Sequence, residues 1–168
     1  MKNILLLLLI SCSAISGAFA QQTKSFSISG KVKKESTITI DSLKQYTAKD
    51  LGSINITNHK GDFKHKDDEL QGVLLKDILS HTVFDVASPK LLSEFYFICI
   101  ASDGYKVVYS WNELYNTETG NTVFIITEKN GIKLDAMPES IQMVSMQDFK
   151  TGRRYLHNLS KIVVGRAE

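Results

Sequence analysis

Two short stretches carry side chains whose types and spacing could do chemistry. In "NHKGDFKHKDD", residues 58–68, His59, Asp62 and His65 recur every third position, with Asp67 and Asp68 close behind. Imidazole and carboxylate donors spaced in this way suit Zn²⁺ or another divalent metal. A solvated, charged hairpin tip around Gly61-Asp62 has the same composition, so the spacing leaves both readings open. In "KTGRR", Gly152 precedes Arg153 and Arg154. A turn there would aim at least one guanidinium outward, where its planar fork could hold a phosphate or carboxylate bidentately. A plain surface pair is the alternative.

Other reactive types have plainer readings. Cys99 lies inside the apolar run "EFYFICIA" (94–101), where a thiol behaves as a small hydrophobe with a raised pKa. His81 follows an apolar helical stripe and suits the C-terminal end of that helix, where a cation is favoured. His157, in "RRYLHN", reads as strand surface. Tyr105 and Trp111 flank a predicted strand and either line a pocket or cap the core. The G-x-S-x-G elbow, the phosphate-binding loop and the dinucleotide-binding glycine set are all missing from the sequence.

The elements that must position these groups are mostly strands. "SFSISGKV" and "STITI" alternate apolar and polar residues, as does "SINITN", which should face Ile54 and Ile56 inward. Asp41 is placed to cap a short helix over "SLKQY". Residues 59–72 read as a polar loop or hairpin tip. Residues 73–83 read as the best helix, with Leu74, Leu75, Ile78 and Leu79 as its apolar stripe. "EFYFICIA" is apolar on both faces and should be a central strand covered on both sides. Asp103-Gly104 breaks it from "YKVVY", and Ser110-x-x-Glu113 spells a capping box. Asn130-Gly131 is a hairpin turn signal after "NTVFIITE", and "SIQMVSM" and "LSKIVV" add two further strands. The predicted class is α+β, with a mixed, mostly antiparallel sheet and a few short helices.

The chain has 168 residues and 20 basic against 18 acidic side chains. That near balance gives no concentrated positive face for nucleic acid. A basic start, the run "ILLLLLI" and the ending Ala18-Phe19-Ala20 describe a signal peptide over 1–20. The apolar run is too short for a transmembrane span. Residues 21–168 are then expected to form a single exported domain, periplasmic or secreted. A rival reading takes "LISC" as a lipobox, with the protein lipid-anchored through Cys12. Cleavage after Ala20 would leave Cys99 as the lone thiol, with no internal disulfide.

The order of these pieces resembles the molybdopterin-binding domain of the sulfite oxidase type. "FSISGKV" with "ITIDSLKQY" is similar to that family's opening strand and short helix. "LQGVLLKDIL", "ASDGYKVVYSWNEL", "EKNGIKLDAMPESIQMV" and "DFKTGRRYLHNLSKIVV" follow in the family's order across nearly all of residues 21–168. The resemblance implies molybdopterin as cofactor, a redox partner of unspecified kind, and oxo-transfer chemistry. It also implies that Asn58, Gln142, Arg153 and Arg154 face the cofactor. Two departures bear on activity. Family members hold molybdenum through a Cys thiolate after the early strands, and "INITNHKGDF" (54–63) contains no Cys. Gln142 stands about where the family carries Arg, and Gln cannot neutralise a phosphate as a guanidinium does. The first expectation is therefore an accessory, non-catalytic protein binding a small anionic or pterin-like ligand. The alternatives are an oxidoreductase with His59 or another residue replacing the thiolate, and a structural or partner-binding domain whose cleft is filled.

Overall fold

Strands that alternate buried and open positions, such as Ser25–Gly30 and Phe95–Ala101, and strands buried throughout, such as Met143–Ser145, build two five-stranded sheets. In the computed structural model, which describes residues 22–167, the chain runs through β1 (Ser25–Gly30), β2 (Ser36–Thr39), α1 (Ile40–Leu43), β3 (Lys49–Thr57), β4 (Phe63–Leu74) and α2 (Leu75–Leu79). It continues with β5 (Phe95–Ala101), β6 (Lys106–Ser110), α3 (Trp111–Tyr115), β7 (Val123–Lys129), β8 (Ile132–Lys133), β9 (Met143–Ser145) and β10 (Leu159–Arg166). The first sheet has the order β2-β1-β10-β5-β6, and the second β3-β4-β7-β8 with β9 beside β7. Among the described strands the pairings are antiparallel except β1 with β10. The predicted α+β class, mostly antiparallel with short helices, is the observed one. The expected export signal and Cys12 fall outside the described residues.

One continuous core draws on both sheets. Phe26, Ile28, Phe97 and Ile162 come from the first; Ile54, Ile56, Val73 and Ile125 come from the second. Each such side chain contributes about 1.5–3 kcal/mol by leaving water, so two facing sheets suffice without a crosslink. The turns follow their sequence signals. Tyr105 N–H donates to the Asp103 carboxylate at 2.9 Å in the β5–β6 turn. Asn130 and Gly131, both at positive φ, make the β7–β8 turn, as such a pair does most readily. Ser110 and Glu113 form the full capping box at the start of α3.

Four expectations are corrected. Thr39, not Asp41, caps α1, its hydroxyl accepting from Ser42 N–H at 3.0 Å, because the helix starts two residues early, directly where β2 ends. Residues 63–72 are not loop but most of the long β4, since pairing with β3 outweighs their polarity. The 73–83 helix shrinks to five residues, Val73 and Leu74 being claimed by the ladder to β7. The apolar β5 is covered on one face only: Phe95, Phe97, Cys99 and Ala101 are buried, while Ile98 and Ile100 are half-exposed.

Candidate functional site

The β3–β4 hairpin tip is built by one side chain. Asn58 Oδ1 accepts from the N–H groups of Lys60, Gly61 and Asp62 at 2.8, 3.0 and 3.0 Å. Its amide donates to the Asp62 carboxylate at 3.0 Å. Asn is favoured here because its short amide can replace a backbone acceptor in a tight turn. Asn58 and Asp62 are thus occupied with each other. His59 sits exposed beside them. His65 lies down the strand opposite Ile56, its Nε2 3.6 Å from the buried Asp67. Among the described residues, no group of three His, Cys, Asp or Glu side chains is placed to hold a metal ion.

The segment Lys150–Arg154 docks against this hairpin. Thr57 N–H donates to the Thr151 hydroxyl at 3.0 Å, and that hydroxyl donates to Asn55 C=O at 2.8 Å. Gly152 lies so close to β3 that a Cβ there would stand 2.0 Å from the Thr57 carbonyl oxygen. Only glycine permits that approach. Tyr105 O–H reaches across from the first sheet to the Arg153 carbonyl at 2.6 Å.

The two arginines then part. Arg154 is committed to the protein: it grips Asp148 in a two-pronged bond, Nε to Oδ2 at 2.6 Å. It also reaches Glu113 at 3.3 Å and lies 4.6 Å over the Tyr109 ring. Asp148 accepts in addition from the Ser145 hydroxyl at 2.8 Å. Arg153 is exposed and gives a single bond, Nη2 to the His59 carbonyl at 3.2 Å. Lys150 is also exposed and holds no carboxylate. An open groove of about 590 Å³ runs along these residues, with Thr119, Thr122 and Ser145 lining it beside Asp148, Lys150 and Arg153. Phe149, fully exposed, lines it too. The arginines were legible in the sequence, whereas Phe149 and Lys150 sit in a polar stretch with no period to single them out.

Gln142 is placed elsewhere. It is fully buried, and its carbonyl accepts from Lys129 Nζ at 3.0 Å. Tyr155 O–H lies 2.8 Å from both Gln142 Oε1 and Asp67 Oδ2. With one proton to give, it serves the charged Asp67 and takes a bond from Lys129 at 3.2 Å. Lys129 continues to Glu139 at 3.4 Å, and Glu139 to His157 Nδ1 at 2.8 Å. Burial, the larger effect, carries His157 below its usual value near 6.5 despite the pull of Glu139. Burial alone would raise Glu139, but His157 and Lys129 hold it below its usual 4.5. Burial pushes the Cys99 thiol up to about 12, so it is no thiolate at neutral pH. His81 sits edge-on to Tyr46, 5.8 Å between ring centres.

No family profile and no curated protein matches this sequence. The crystal structure of the sulfane dehydrogenase SoxCD from Paracoccus pantotrophus does resemble it, with a TM-score of 0.61 at 13% identity. The likeness is one of fold. It covers 89% of this chain and 40% of that one, so this chain spans well under half the length of SoxCD.

The residues present do not fit a thiolate-held molybdenum cofactor. Cys99, the free cysteine of the described residues, is inaccessible in the core. Arg154 is neutralised by Asp148, Gln142 is enclosed, and Asn58 is consumed by its turn. Of the four residues expected to face a cofactor, Arg153 keeps donors to spare.

Proposed function

We propose that this chain is an exported accessory domain of the molybdopterin-binding fold that works by binding rather than by oxo-transfer. One observation carries the reading. The segments that the family resemblance would place around a cofactor, 54–63 and 138–153, are closed on each other by Thr151 and Gly152. Between them the Thr57 N–H, the Thr151 hydroxyl and the Asn55 carbonyl are paired with one another, and among the described residues the buried Thr57 hydroxyl alone lacks a partner there. What remains open is the groove outside that contact, flanked by Lys150 and Arg153. The likeness to a dehydrogenase supports the ancestry of the fold, while the chemistry of the donor set supports a binding role.

Protein produced with its leader in a molybdenum-replete bacterial host tests this. Purified material should carry no stoichiometric molybdenum by elemental analysis and release no fluorescent pterin on oxidation. Molybdenum approaching one equivalent per chain would overturn the reading. The intact mass of the same material checks export: a chain beginning at Gln21 is expected, whereas a diacylglycerol on Cys12 would replace a soluble protein by an anchored one.

A further inference from the structure

We infer that the groove between the Glu118–Asn121 turn and the Phe149–Arg154 segment is a docking surface for an extended, acidic segment of a partner protein. This inference rests on the binding role proposed above and names the chemistry of what is bound. Three features of the groove point the same way. The first is charge. Asp148, the one carboxylate among the described lining residues, is neutralised by Arg154, leaving Lys150 and Arg153 unbalanced. Lys60 stands nearby on the hairpin tip, whose Gly61 approaches the Lys150 side chain, and Asp62 there is turned back onto Asn58. The second is the aromatic. Phe149 is fully exposed beside these cations, a placement that leaves a large apolar side chain in water unless something covers it.

The third feature is shape. A small-molecule pocket encloses most of its ligand, but this groove is open to solvent. It has the Thr119 hydroxyl to meet a passing backbone, while the Thr122 hydroxyl donates to the Thr119 carbonyl at 2.9 Å and keeps only its acceptor side. An anionic lipid surface is usually met by a cluster of about four to eight Lys or Arg side chains, more than Lys60, Lys150 and Arg153 supply here. An extended chain bearing Asp or Glu with an occasional apolar residue satisfies all three features. The rigid Arg154–Asp148 pair holds the Phe149–Arg153 stretch in place, which limits the ordering cost of association.

The test uses the full exported protein and a fluorescein-labelled peptide rich in Glu and Asp with one Leu, against the same peptide with Gln and Asn in place of the acids. Anisotropy should report saturable binding of the acidic peptide alone, weakened by added salt. Lys150→Glu should lower affinity roughly tenfold, and Phe149→Ser several-fold, with melting temperatures unchanged because both side chains are exposed. Equal binding of the neutral peptide, or equal affinity in both variants, would overturn the inference. So would complete displacement by inorganic phosphate, which would mark a small-anion site, or Lys150-dependent pelleting with phosphatidylglycerol vesicles without peptide binding. Because the molybdenum content is measured separately, loss of peptide binding in metal-free protein sinks this inference and leaves the binding role standing.

Discussion

Two charged networks of this protein use similar residues to opposite ends. One is centred on Arg154, which ties Asp148 and Glu113 together over the Tyr109 ring at the wall of an open groove. The other is centred on Tyr155, which joins buried Asp67 to Gln142 and Lys129, and through Glu139 to His157. The first leaves neighbouring cations free beside it, because the chain leaves the Thr151–Arg153 turn with Arg153 on the outer side. The second closes on itself: Lys129 is shared among Gln142, Tyr155 and Glu139, and Tyr155 serves Asp67. Arg, Asp, His and Tyr clusters therefore do not mark a site by type alone; a site needs charge left over after internal pairing.

The contrast can be broken by substitution. Arg154→Ala should have the largest effect, about 3 kcal/mol of stability, since it strands the mostly buried Asp148 without its cation. Urea unfolding measures it, and a loss smaller than that of Tyr155→Phe would reverse the ranking of the two networks. Tyr155→Phe should cost about 1.5 kcal/mol, because Asp67 loses a hydrogen-bond donor in a site water reaches poorly. The smallest effect is on pH dependence. His157 and Glu139 both have folded values below their unfolded ones, so the unfolded chain binds more protons as acid is added. Stability should be full above the usual histidine value of 6.5, decline as the pH falls below it, and steepen below 4.5 as Glu139 titrates. A His157→Gln variant should lose the upper part of that decline and shrink the lower, because His157 is the first of the two groups that hold Glu139 down. An identical melting-temperature profile for the two proteins would assign the upper decline to other groups.

The fold was largely legible because its cues are local. Alternation in "SFSISGKV", the Asn130-Gly131 turn and the Ser110-x-x-Glu113 cap each act within a few residues. Where prediction failed, distant pairing had won. Residues 63–72 are polar enough for a loop, yet they are held as strand by β3, and on the inner part also by β7. The site was less legible for the same reason. Nothing in "KTGRR" tells which arginine meets Asp148, and nothing near Gln142 announces Tyr155 and Lys129 as partners. Those pairings are products of the two sheets coming together. Cys99 was the exception: an apolar run already implied an inert thiol.

The parallel pairing of β1 with β10, Ser27 beside Lys161 through Gly30 beside Val164, has a kinetic consequence. The first strand of the described chain has its only inner neighbour in the last one, and β10 also separates β1 from β5. A nascent chain can assemble the β3–β4 and β5–β6 hairpins early, since their partners are adjacent. The β1–β2 pair cannot join the rest of its sheet until β10 has been made. Such non-local closure is slow, so completion of the first sheet reports on the arrival of β10.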